Sequence, residues 1–198
     1  MKLTYNDLYK RYNNVLKPLI SEQEGRLETF AEPLLHSLSS MLDSVALADF
    51  YQGNEHDLRL NSANEALDLS ISLSYQYLIF ALKSEMEKFE DRVSKDAREK
   101  LGGGRFIGQY TELRRKSLSI IEKCKNKNND LESLPLYKEA YENMTELERL
   151  INEYNTEVII AENEKRSWYC KIILKFLGIV ISVGVGYFVG NMLISFGK

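Results

Sequence analysis

The sequence is poor in cysteine and in the residues that interrupt helices. It contains only three prolines and 11 glycines among 198 residues, and five of the glycines lie after residue 176. Long stretches without glycine or proline favour helices. Cys124 and Cys170 are too few for a disulfide framework and belong to no CxxC or Cys/His cluster. These absences predict an all-α body in the reducing cytoplasm, with no metal and no other cofactor.

The sequence also lacks the motifs of common catalytic sites. Its two histidines, His36 and His56, belong to no HExxH, Ser-His-Asp or phosphate-loop pattern. The glycine-rich stretch GGGRFIG has Ile107 where a dinucleotide fingerprint needs glycine. The first residues have no apolar segment, so we expect no signal peptide. We therefore predict that the chain is not an enzyme.

Acidic residues are absent from the C-terminal part of the chain. None of the 29 acidic residues lies after Glu164, whereas five of the 26 basic residues do. An acidic body lacks the basic face that phosphate contacts require, so nucleic acid is an unlikely partner.

The C-terminal segment from Phe176 to Phe196 has 21 residues and no charged side chain. A helix of this length spans roughly 31 Å, close to the thickness of the hydrocarbon core of a bilayer. A basic and aromatic collar precedes it, and such residues favour the cytoplasmic interface. The collar consists of Lys165, Arg166, Trp168, Tyr169, Lys171 and Lys175. We predict a single transmembrane helix with the body in the cytoplasm; a buried core helix is the alternative interpretation.

Small residues recur every four positions in this segment. They are Gly178, Ser182, Gly186 and Gly190, with Gly184 near the same stripe. Close backbone approach across such a stripe drives helix association in lipid, so copies of the chain are the simplest partners. Glycine is also common in membrane helices in general. Asn191 either lines a pore or is solvated at the far interface.

A second pattern precedes the collar. Eight apolar or small residues follow heptad spacing, which is typical of a coiled-coil stalk between chains or of a helix inside its own bundle. They are Tyr137, Ala140, Met144, Leu147, Ile151, Tyr154, Val158 and Ala161. Pro135 suits a helix start, and the helix is predicted to run unbroken from there into the bilayer. This divides the chain into a body (1–134), a stalk (135–167) and a transmembrane part (168–198).

The rest of the body is predicted as further helices. The stretch 51–62 (YQGNEHDLRLNS) is interpreted as a polar loop, and Ser62 to Glu65 as a capping box that starts the next helix. Residues 67–77 alternate between apolar and polar, which is typical of a strand, but we interpret them as helix because no partner strand exists. Gly102 to Gly104 are expected to end that helix. Another is predicted over about 106–127.

One basic run could contact a ligand. Arg114, Arg115 and Lys116 could meet a phosphate or an acidic headgroup, although such runs more commonly form a solvated helix face.

Two functions fit these patterns. In the first, the chain oligomerises through its transmembrane helix into a channel or membrane-disrupting effector, which the body controls in response to a ligand or protein. This layout is similar to that of bacterial membrane effectors of anti-phage defence. In the second, the chain is a tail-anchored adaptor whose bundle binds a protein at the membrane, a layout similar to that of tail-anchored fusion and apoptosis proteins.

Overall fold

The protein is an all-α helical bundle. The computed structural model describes the backbone of residues 3–28, 31–126 and 130–196, and the side chains of these residues except 130–131 and 176–196. Within these ranges no strand occurs. The helices are α1 (Tyr5–Arg11), α2 (Lys17–Leu27), α3 (Glu32–Ala48), α4 (Asn54–Arg92), α5 (Lys95–Lys100), α6 (Arg105–Lys125), α7 (Asp130–Glu153) and α8 (Asn155–Phe196). A π-helical turn, Tyr12–Leu16, joins α1 to α2.

Helix α4 is the spine of the bundle. It is 39 residues long, and α3 packs antiparallel along its first half, where the Ser37 hydroxyl donates to the Ala66 carbonyl at 2.9 Å. Helix α6 packs antiparallel on α7 and reaches the second half of α4 through side chains, so that Phe106 meets Phe89. Helix α7 runs parallel to α4, with Tyr141 beside Tyr75 near the middle. The spine is therefore covered by different helices in its two halves.

Two groups of buried side chains correspond to these halves. The first joins α1, α2, α3 and the start of α4 around Leu16, Leu34 and Leu67, which are fully buried. The second joins the end of α4 to α6 and α7 around Phe89 and Phe106. Burial of this apolar surface is the main force that holds the helices together.

The alternating stretch 67–77 is helical, which confirms the interpretation based on the missing partner strand. Its serines are buried: Ser70, Ser72 and Ser74 have no exposed surface. The Ser70 hydroxyl lies 2.9 Å from that of Ser37 on α3. These small serines allow neighbouring helices to pack closely on several sides of α4. The alternation of apolar residues and serines therefore arises in a helix that is buried on several sides, and not in a strand.

The predicted polar loop at 51–62 is wrong. Helix α4 begins at Asn54, so Ser62 and Glu65 lie inside it and form no N-terminal cap. The reason is burial: Leu60 and Ala63 pack into the first apolar group and extend the helix through a polar stretch. Gly53, whose φ is +62°, is the capping residue.

The helix expected to end at the three glycines ends earlier, at Arg92. Val93 adopts an extended conformation that places its side chain in the core. The Ser94 hydroxyl then accepts a hydrogen bond from the Ala97 N–H at 3.3 Å and starts the short helix α5. The helix predicted over about 106–127 is present as α6.

The predicted start at Pro135 and the unbroken run beyond it are also wrong. Helix α7 begins at Asp130 and contains Pro135, because Ser133 and Leu134 are packed against the body and hold the turn before the proline in place. The helix is interrupted at Tyr154, and α8 continues from Asn155 to Phe196. Tyr154 packs against Phe106 with ring centroids 5.4 Å apart, and this contact accompanies the break.

An arginine joins three helices of the bundle. Arg26 on α2 makes a bidentate ion pair with Glu148 on α7, with N–O distances of 2.9 and 2.7 Å. It also lies 2.9 Å from Glu22 and 3.2 Å from Glu85 of α4. The hydrogen bond with Glu148 is the main reason that the pKa of Arg26 is raised. Tyr141 donates its hydroxyl to Glu22 and extends the network.

Tyr141 gives this network a pH dependence. Burial, and secondly its hydrogen bond to Glu22, raises the pKa of the Tyr141 phenol to about 12 from 10. Between these values the unfolded chain loses the proton and the folded chain keeps it. The contribution of this group to stability is therefore complete below pH 10 and is lost as the pH rises to about 12. We expect the difference in unfolding free energy between the native protein and Tyr141→Phe to shrink over this interval; parallel pH profiles would contradict the assignment.

Candidate functional site

The feature that distinguishes this bundle is the way in which α8 leaves it. In the part of α8 whose side chains are described, the first turns pack on the body, where Val158 and Ala161 are buried near Met86 and Phe89. Two polar contacts lie at the edge of this patch. Arg92 pairs with Glu162 at 3.4 Å, and the Lys165 ammonium donates to the Asp91 carbonyl.

Beyond Lys165 the described part of α8 is exposed. Trp168, Tyr169 and Leu174 have 58%, 50% and 67% of their surfaces in solvent. The Trp168 and Tyr169 rings contact each other edge to face, with centroids 5.3 Å apart. From Arg166 to Phe196 a helix extends about 45 Å. A water-exposed helix with large apolar side chains is typical of an element that binds something further.

The predicted basic and aromatic collar lies on this projecting segment. Arg166, Lys171 and Lys175 are exposed, whereas Lys165 is half-buried against the end of α4. The collar is thus spatially separate from the apolar groups of the body. Cys170, between the two aromatic residues and Lys171, is exposed and free.

The eight heptad residues pack inside their own chain. Ala140, Met144, Leu147, Val158 and Ala161 are buried, and Tyr137, Ile151 and Tyr154 are half-buried. Their neighbours are side chains of α4 and α6. In this conformation the seam therefore serves the bundle and is not open to a second copy.

The basic run on α6 is largely engaged by carboxylates. Arg114 lies 2.7 Å from the Glu90 carboxylate, which also accepts a hydrogen bond of 2.7 Å from the Tyr110 hydroxyl. Burial, and secondly Glu90, raises the pKa of Tyr110 above its ordinary value. Lys116 lies 3.8 Å from Glu139, and Arg115 is exposed. A ligand at this run would compete with the carboxylates for two of the three cations.

Sequence reasoning missed an apolar groove at the other end of the bundle. It lies between α1 and α3 and has a volume of about 480 Å³. Its walls are Tyr5, Leu8, Tyr9, Tyr12, Leu38, Met41, Leu42 and Val45. Tyr9 and Leu42 are 68% and 61% exposed. The sequence offered one indication of this groove. Tyr5, Tyr9 and Tyr12 are spaced by four and three residues, which places them on one face of a helix.

The described part of the chain contains neither a candidate metal site nor a candidate membrane span. No group of His, Cys, Asp and Glu in it is arranged to hold a metal ion. Nor does any helix there combine the length and apolar character that crossing a bilayer requires. The predicted span at 176–196 lies outside the residues whose side chains are described. The same holds for the stripe, Gly178, Ser182, Gly184, Gly186 and Gly190, and for Asn191.

No protein-family model matches this chain, and no curated protein or solved structure is significantly similar to it.

Proposed function

We propose that this chain is a single-pass membrane protein, anchored near its C-terminus, whose transmembrane helices associate into a channel or membrane-disrupting assembly. The observation that carries the proposal is the projection of α8 from the body after Lys165. The exposed collar on this helix leads directly into the uncharged sequence from Phe176 to Phe196. Basic and aromatic residues at that position suit the cytoplasmic face of a bilayer.

The sequence of the proposed span supports association with copies of itself. Small residues at 178, 182, 186 and 190 allow two helix backbones to approach closely, and this contact replaces the hydrophobic attraction that is missing in lipid. Asn191 would offer a polar group to a partner helix or to a pore. Because the seam residues are occupied within the bundle, the span is the better candidate for contact between chains.

In this proposal the helical body regulates the span and performs no catalysis. It stays in the cytoplasm, where it would respond to a ligand or protein. The layout is similar to that of bacterial membrane effectors of anti-phage defence, in which a cytosolic domain governs a transmembrane part. Control of this kind requires a mechanical connection between body and span, and α8 supplies a continuous helix for it.

Conductance across a planar lipid bilayer tests the proposal. The purified full-length protein is compared with the triple variant Gly178→Leu/Gly186→Leu/Gly190→Leu. We expect discrete current steps from the native protein and their loss from the variant, because three leucines keep the helices apart. Val180→Leu/Ile181→Leu/Phe188→Leu is the matched control, since these positions lie away from the stripe on an ideal helix and should leave the steps intact. Silence of the native protein, with its insertion verified, would overturn the pore.

A second candidate function rests on the apolar groove between α1 and α3. A tail-anchored adaptor would hold this groove in the cytoplasm and bind a protein partner there. Grooves of this kind receive amphipathic helices in other systems. A native protein that inserts but carries no current would favour this adaptor over the channel.

A further inference from the structure

A turn of three glycines lies at the base of α8. Gly102, Gly103 and Gly104 have φ values of +56°, +63° and +90°, which side chains with a Cβ rarely adopt. The turn connects α5 to α6 and passes the point where α7 gives way to α8. The Gly102 backbone lies directly against a neighbouring side chain, whereas the space beside Gly103 is open.

The turn contacts α8 in two ways. The Gly102 N–H donates a hydrogen bond of 2.7 Å to the Glu157 carboxylate in the first turn of α8. A Cβ added to Gly102 would overlap the ring of Tyr154, the residue at which α7 and α8 separate. Tyr154 in turn lies edge-on to Phe106, with centroids 5.4 Å apart. The helix break is thus enclosed by the turn on one side and by an aromatic core residue on the other.

Few other contacts fix the direction of α8. Val158 and Ala161 are its buried residues in the described part of the chain. Two polar contacts accompany them: the partly exposed Arg92–Glu162 pair at 3.4 Å and the hydrogen bond from Lys165 to the Asp91 carbonyl. Exposed ion pairs contribute little. Yet α8 is a long lever: from Glu157 to Phe196 it extends about 58 Å. A rotation of 10° at its base displaces its far end by about 10 Å on this length.

We propose that Gly102 and Tyr154 form a joint that sets the direction in which α8 leaves the body. Movement of this joint is the step by which the body controls α8. The control role rests on the proposed membrane function, whereas the joint itself does not. A change in the body that shifts the turn moves Tyr154 and Glu157 together, because both contact Gly102. Hinges of this kind are a few residues at the ends of helices that absorb a change in backbone angles.

Distance measurements between spin labels test the joint in the full-length protein in detergent, with no need for channel activity. One label is attached to the native Cys170 on α8 and the other to Lys83→Cys on α4. We expect a narrow distance distribution in this background. Adding Gly102→Ala should broaden it or shift it by about 3–4 Å, because a rotation of 10° moves Cys170 by that amount at about 20 Å along the helix from the joint.

Gly103→Ala is the matched control. Gly103 has a similar φ, +63°, but a Cβ there has open space around it. Equal broadening in both variants would assign the effect to strain in the turn and overturn the joint, as would an unchanged distribution in Gly102→Ala.

A second variant covers the case in which Gly102→Ala does not fold. Glu157 is exposed, so Glu157→Ala should fold, lose the hydrogen bond from Gly102 and broaden the same distribution. Glu164→Ala, also exposed and further along α8, should not. Identical distributions in these two variants would overturn the proposal. A bilayer experiment that shows no current leaves these distances unaffected, so failure of the joint and failure of the channel are distinguishable.

Discussion

Phe106→Ala is expected to lower the free energy of unfolding by about 3–5 kcal/mol, the range for a large aromatic residue removed from a packed core. Phe106, in the first turn of α6, is fully buried against α4 and the break between α7 and α8. Its ring lies 5.9 Å from Phe89, 5.2 Å from Tyr110 and 5.4 Å from Tyr154. Aromatic pairs at such distances add stability beyond the area that they bury.

The measurement is chemical denaturation of the full-length protein in detergent, followed by circular dichroism. Phe80→Ala is the control, because Phe80 is also a phenylalanine inside a helix of the bundle, α4, but is 68% exposed. A surface change of that kind should alter stability by no more than about 0.5 kcal/mol. A loss below about 1 kcal/mol for Phe106→Ala would mean that the cavity collapses, and that Phe106 does not anchor the second apolar group.

The central role of Phe106 shows what the sequence could predict. The all-α class followed from the scarcity of glycine and proline. Five of the eight residues in heptad spacing are buried and three are half-buried, because a face of a helix is a local property of the sequence. The spacing could not decide whether that face packs against helices of the same chain or against a second copy. Phe106 itself stands after three glycines in a stretch with no clear pattern, and its burial depends on α4, α6 and α8 meeting there.

The helix boundaries were less predictable for a related reason. Asn54 to Ser62 is polar in sequence, yet Leu60 is buried against α1 and α3, and this distant contact makes the stretch helical. Pro135 lies inside α7 because packing of the preceding turn outweighs the preference of proline for a helix start. Local preferences of this size are regularly overridden by tertiary burial.

The candidate functional regions were predicted unevenly. The collar could be proposed because its charged and aromatic residues cluster in the sequence itself, and its place at a membrane interface stays a prediction. The joint at Gly102 and Tyr154 was missed, since these residues are 52 positions apart and only the fold brings them together. The three glycines were expected to end a helix, but the helix that they contact, α8, was not visible in the sequence.

Arg26 also depends on contacts between distant parts of the chain, so its substitution is expected to reduce the stability of the fold strongly. Arg26→Ala is expected to lower the free energy of unfolding by about 2–3 kcal/mol, less than for a fully buried pair because water reaches part of the network. The side chain of Arg26 is 18% exposed. Its removal leaves Glu22, Glu85 and Glu148 close together without their shared cation. The loss therefore combines broken hydrogen bonds with repulsion between carboxylates.

Two comparisons separate this network from an ordinary surface charge. Arg149 on α7 also has two carboxylate partners, Glu146 at 2.7 Å and Glu153 at 3.4 Å, but all of them are exposed on one helix. Arg149→Ala should therefore leave stability nearly unchanged. In a double-mutant cycle, Glu148→Ala should cost much less in the Arg26→Ala background than in the native protein, because the two side chains act on each other. Additive losses would mean that Arg26 stabilises the bundle through its aliphatic stem and not by joining α2 to α7.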